Sequence, residues 1–174
     1  MKVMRKGERG FSLIELVIVI GLTGVICAGI TGAILGVFNA DARTRDSMTA
    51  VYQVRHAGKL VSEDVLEAQK VTPGPSLGFP LSLSWTEVDG EPTYEVVYRL
   101  AGPVGEPQIL WRDYYVDREA NPDPVSITKV AEHIDPETSF APVGGGAYSF
   151  TVTATVGGQS ETRILQLRPR PTQQ

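Results

Sequence analysis

From Leu16 to Phe38 the chain runs for 23 residues without a formal charge. As a helix, such a run rises about 1.5 Å per residue, roughly 35 Å in all, enough to cross a bilayer core with modest tilt. Whole-chain averages conceal it. A chain of 174 residues that is 42% hydrophobic and 21% charged describes an ordinary soluble domain. The apolar residues are instead gathered near one end, so two solvents must be satisfied by one chain.

The flanks assign each end of the run a side. Residues 1–10 carry Lys2, Arg5, Lys6 and Arg9 against Glu8, a net of +3, which leaves −7 on the remainder of a chain whose total is −4. A short basic head before an apolar run marks the end that stays in the cytoplasm. Beyond Phe38, residues 39–72 are polar but keep a helical stripe of Met48, Val51, Gly58, Val61, Val65 and Ala68. Arg43, Arg45, Asp46, Lys59, Glu63, Asp64 and Glu67 fall on the other faces. No proline precedes Pro73, so the reading is a single helix of roughly 60 residues, about 90 Å long. It ends near Thr72-Pro73-Gly74-Pro75, a strong stop signal.

After Pro75 the period changes from 3.6 to 2. Leu81, Leu83 and Trp85 alternate with serines, and Tyr94, Val96 and Tyr98 alternate with Glu95, Val97 and Arg99. Residues 93–100 and 107–115 read as a hairpin around a Gly- and Pro-rich turn. Residues 147–156 and 160–168 form a second hairpin, turned by Gly157-Gly158. Residues 116–146 read as a long loop with one short strand near 125–130, and 169–174 as a flexible tail. Trp85, Tyr94, Tyr98, Trp111, Tyr114, Tyr115, Tyr148 and Phe150 are expected in the sheet core, with Tyr114-Tyr115 partly exposed. The predicted class is α+β: a long N-terminal helix, half membrane-spanning (11–38) and half amphipathic (39–72), packed on an antiparallel β-sheet (76–168).

Glu15 is the one charge between Arg9 and Asp41. A carboxylate at the edge of an apolar run costs several kcal/mol unless a partner relieves it, and no cation lies three or four residues away within the run. It stands in Gly10-Phe11-Ser12-Leu13-Ile14-Glu15-Leu16. With its short basic leader, this sequence resembles the prepilin signature of type IV pilins and type II secretion pseudopilins, over residues 5–40. The resemblance implies that a prepilin peptidase cuts between Gly10 and Phe11, removing residues 1–10, and methylates the new amine of Phe11. It also implies that Glu15, fifth in the mature chain, pairs with the terminal amine of a neighbouring subunit. Other pilin or pseudopilin subunits, an inner-membrane assembly platform and lipid are the implied partners. A filament outside the cytoplasmic membrane is the implied destination. Loose patterns in the strands are similar to minor subunits of the J and W classes. Many major pilins carry a proline in the membrane segment, and this chain has none there.

Physical chemistry supports the junction separately. Cutting after Gly10 removes the +3 anchor and leaves one ammonium near one carboxylate. In low dielectric each lowers the other's desolvation cost, and a pair made between axially shifted chains would set register. Gly24, Ala28, Gly32, Gly36 and Ala40 recur every fourth residue, a small-residue row that lets helices approach closely. Cys27, within the run, reads as a small apolar residue.

Other classes fit less well. One cysteine excludes a disulfide or Cys-based zinc site within the chain, and His56 and His133 leave little for metal or triad chemistry. An acidic chain of pI near 5.2 argues against nucleic acid as main partner. Ala40-Asp41-Ala42 has the form of a signal-peptidase site, but the run exceeds the about 7–15 residues of a signal core. A membrane-tethered enzyme or binding domain is the alternative reading. Gly74-Pro75-Ser76-Leu77-Gly78 matches the G-x-S-x-G of hydrolases without the strand-to-helix context the motif needs. Asp117, Glu119, Asn121 and Asp123 alternate as calcium ligands would, yet Pro122 stands where the calcium loop needs glycine, and a solvated acidic loop is the expectation. No cofactor is expected.

Overall fold

The computed structural model describes residues 12–87, 92–103 and 105–171. They form one helix, α1 (Leu13–Glu67), and eight strands. The strands are β1 (Lys70–Gly74), β2 (Gly78–Thr86), β3 (Thr93–Ala101), β4 (Gln108–Val116), β5 (Ser126–Ile134), β6 (Ser139–Gly144), β7 (Ala147–Val156) and β8 (Gln159–Leu167). The chain divides into two compact units, Met1–Ala42 and Arg43–Gln174, with α1 running through the boundary.

The class is the expected α+β, with an antiparallel sheet of order β1-β2-β3-β4-β5-β7-β6 and β8 paired to the other side of β7. The sheet curls. The Phe140 amide of β6 donates to the Leu77 carbonyl just before β2, at 2.8 Å. Gly78, with φ of +92°, fits there because a Cβ would lie 2.0 Å from the Phe140 carbonyl oxygen. Both sequence-predicted hairpins are present. Gly157 and Gly158 both take positive φ, as a two-residue turn between twisted strands requires. A Cβ on Gly157 would lie 1.9 Å from Asp46 Oδ2 of α1.

The core of the second unit joins the C-terminal part of α1 to one face of the sheet. Ala50, Val54, Ala57, Val61, Val65 and Ala68 are buried against Leu81, Leu83, Val96, Tyr98, Leu110, Phe140, Phe150 and Val152. The expected stripe holds from Gly58 to Ala68, where Gly58, Val61, Val65 and Ala68 are buried. Ahead of it Met48 is exposed and Val51 half-buried, and Ala50, Val54 and Ala57 take the inner positions. Small side chains let the sheet come close, and at Gly58 a Cβ would be 2.9 Å from the Leu165 side chain of β8.

Three boundaries differ from expectation. The helix stops at Glu67, not Thr72. Gln69 leaves it to bond β2, its amide to the Ser84 carbonyl at 3.0 Å and its side chain to Thr86. Val71 and Thr72 then extend into β1, where Thr72 is pushed to the β region by Pro73 and where a terminal strand of the order tolerates a proline. Residues 116–146 are not mainly loop but contain β5 and β6. The tail is held as far as Arg170, whose amide donates to the Ala68 carbonyl, while Arg168 reaches the Gly145 carbonyl.

Candidate functional site

The first unit is the candidate site. Its described residues are helical from Leu13 onward, and from Ser12 to Ala42 every one is exposed. The helix is long and apolar enough to cross a membrane, and none of its most apolar window is buried within the chain. Leu13, Ile14, Val17, Ile18, Val25 and Phe38 each expose more than half of their surface. An isolated helix of this kind is not stable in water, and only lipid or other helices can cover it. Its polar side chains suit such a solvent. The Thr23 hydroxyl donates to the Val19 carbonyl at 2.7 Å and that of Thr31 to the Cys27 carbonyl at 2.9 Å, so neither donor is left unmet in hydrocarbon.

Glu15 lies in the first turn of α1, where the positive end of the helix dipole favours a carboxylate. Gly10 and Phe11, the expected cleavage junction, lie outside the described residues. Gly24, Gly32 and Gly36 have nothing within 4 Å of a built Cβ. Together with Ala28 they form a row that no other described residue fills. Cys27 is exposed on the same segment.

The second unit holds a charged cluster. Asp64 was expected on a solvated face of the helix, but it is buried among the core residues. Arg112, at an inward position of β4, grips it with two bonds, Nε to Oδ2 at 2.7 Å and Nη2 to Oδ1 at 2.9 Å. The Tyr98 hydroxyl of β3 donates to the same Oδ2 at 2.5 Å. Burial first, and the Asp64 charge second, raise the Tyr98 phenol far above its ordinary range. The bond to Asp64 likewise holds the proton on Arg112. The cluster fixes α1 to the middle of the sheet, and the expected apolar stripe alone does not reveal it, because it assigns Asp64 to another face of the helix. Its signal was present: Asp64 sits three residues after Val61 on the apolar stripe, and Arg112 has the inward parity of Leu110 and Tyr114.

The other sequence candidates lead elsewhere. Ser76 lies in the turn between β1 and β2, bridged to Phe79, with strands rather than a helix on both sides. Asp117 uses Oδ1 to accept the Thr93 amide at 2.8 Å. Among the described residues no three His, Cys, Asp or Glu side chains gather as a metal-holding group. Tyr115, expected partly exposed, is buried under Arg118, whose guanidinium lies 4.2 Å from the ring centre.

Residues 5–31 match the family model for the prokaryotic N-terminal methylation motif. That is the signature of type IV pilins and pseudopilins, and the chain carries it across the basic head, Glu15 and the apolar run as far as Thr31. The match does not reach the sheet unit. No curated protein and no solved structure matches the chain.

Proposed function

We propose that the chain is a structural subunit of the pilin or pseudopilin kind, and a minor one. Prepilin peptidase removes residues 1–10 by cutting between Gly10 and Phe11, and Phe11 becomes N-methylated. The new amine and Glu15 of neighbouring subunits pair, and the row Gly24, Ala28, Gly32 and Gly36 lets the helices pack. The precursor sits in the cytoplasmic membrane with its basic head inside. The mature chain then joins a type IV pilus or type II secretion pseudopilus through an inner-membrane platform. No cofactor enters this role, and it is not catalytic.

The observation that carries the reading is the coincidence of the methylation motif with an apolar stretch of α1 whose described residues, as far as Ala42, are all exposed. The minor-subunit reading rests on less. It is supported by the adjacency of the Trp85 strand, the Tyr94-Glu95-Val96-Val97-Tyr98-Arg99-Leu100 strand and the Leu110-Trp111-Arg112 return strand.

Intact-mass measurement of the chain co-produced with a prepilin peptidase tests the junction. The expected product begins at Phe11 and carries one added methyl group, and Gly10→Ala or a bulkier replacement leaves the precursor uncut. A product cleaved after Ala42, or a precursor indifferent to Gly10, would point instead to a secreted or simply anchored domain.

A further inference from the structure

A cleft of about 680 Å³ opens on the second unit, on the face of the sheet opposite its core. Its floor is a lattice of hydroxyls, Thr72, Ser82, Ser84 and Thr93, from three neighbouring strands. Ser82 pairs across to Thr72 and Ser84 to Glu95, and these residues alternate with the buried Leu81, Leu83 and Val96. The connection between β4 and β5 forms one wall, through residues 117–120. That volume lies within the usual span of ligand pockets, about 300–1,000 Å³.

The wall is held in place before any ligand arrives. The Asp117 amide donates to the Thr93 carbonyl and the Thr93 amide to Asp117 Oδ1, both at 2.8 Å. Asp117 takes a positive φ of 48°, and its carbonyl accepts from the Ala120 and Asn121 amides. Arg118 is locked between the Tyr115 ring and Glu95 Oε1, the latter at 2.9 Å. Ser82 donates to the same Oε1 at 2.6 Å, so among the described residues Glu95 keeps its second oxygen for another donor. Preorganised donors and acceptors lower the cost of binding a polar ligand.

The lining selects by chemistry. Lys70 and Arg118 face three acids, Glu95, Asp117 and Glu119, so an anion meets net repulsion. No metal-holding group of three exists among the described residues. Ala120 is the only apolar residue among the described residues that line the cleft, which offers little to an aliphatic or aromatic ligand. A neutral ligand rich in hydroxyls, each of which both donates and accepts, fits all of it. We propose that this cleft binds a neutral saccharide. Its hydroxyls would meet the serine and threonine floor, donate to Glu95 and accept from Lys70 and Arg118.

The test uses the full chain in a sugar-free detergent, presented to an array of neutral and acidic glycans, with inorganic phosphate as competitor. The expected result is retention of one or more neutral glycans that phosphate does not displace. Ser84→Tyr, which fills the floor, and Lys70→Glu, which removes an exposed donor, should each weaken binding about tenfold with melting temperature unchanged. Retention of acidic glycans alone, no retention of any neutral glycan, or wild-type binding by both folded variants would overturn the proposal.

Discussion

At the scale of the residue, Asp64 decides most about how the second unit is held together. A buried carboxylate is tolerable only while its bonds are complete, and here Arg112 and Tyr98 supply three. Asp64→Asn keeps the shape but strands the guanidinium, and the expected loss in urea denaturation is about 3–5 kcal/mol. The double change Asp64→Leu with Arg112→Met should recover most of that loss, since hydrophobic replacement of a buried pair is often neutral or better. A double change as damaging as the single one would show that the bonds, not their uncompensated remnants, carry the stability. The same cluster predicts a pH dependence. The folded chain keeps the Tyr98 proton at a pH where the unfolded chain, with an ordinary tyrosine value near 10, has lost it. Stability from this group is therefore whole below about pH 10 and is lost as pH rises above it. Tyr98→Phe has no proton to lose, so its melting temperature should fall less steeply than wild type on going from pH 9 to above about 10.

At the scale of the element, the sequence was legible wherever local chemistry and tertiary packing agreed. The hairpin of β7 and β8 is such a case, because Gly157-Gly158 admits few other turns and Phe150, Val152 and Ala154 alternate inward. The helix end was not. Thr72-Pro73 is a stop signal, but the chain leaves α1 earlier because Gln69 gains bonds from β2, and those partners come from residues 82–86 far along the chain. The short strand expected near 125–130 is the start of β5, which runs on to Ile134, while β6 was not expected. In β5 residues 126–129 are all exposed and Val130 and Ala131 are buried side by side, so no in-and-out alternation marks its full length. The alternating acids of residues 117–123 and the G-x-S-x-G match read as a solvated loop and a turn, and Asp117 bonds the Thr93 amide while Ser76 lies in the turn between β1 and β2. The charged cluster had a signal of periodicity in Asp64 and of parity in Arg112, but only contact across 48 positions joins the two. The closure of the curl supplies a prediction at this scale. Gly78→Ala combines a disfavoured φ of +92° with a clash against the Phe140 carbonyl, and no side chain can move aside because the obstacle is backbone. A loss of about 1–3 kcal/mol is expected in thermal or urea unfolding. The open Gly105, also at positive φ, should cost less when changed to alanine because no atom lies in the way.

At the scale of the molecule, the two units divide the work between two solvents. The net charge of −4 is the sum of a basic head and an acidic remainder, so removal of residues 1–10 in the proposed maturation would leave −7 on the side chains. Among the described residues, every member of the buried hydrophobic core lies between Ala50 and Leu167, and none comes from the apolar run. A fragment of residues 43–174 should therefore fold without lipid and melt cooperatively in plain buffer, because the described core is built wholly from its own residues. Gly32→Leu in the full chain gives the complementary result. No described residue lies within 4 Å of a Cβ at that position, so the melting of the second unit should not change. In the proposed filament the same side chain would hold neighbouring helices apart, and incorporation of the variant, measured by its yield in sheared filaments beside wild type, should fall severalfold. Normal incorporation of Gly32→Leu, with Glu15→Ala still excluded, would move the packing burden from the small-residue row to the charge at the head of the helix.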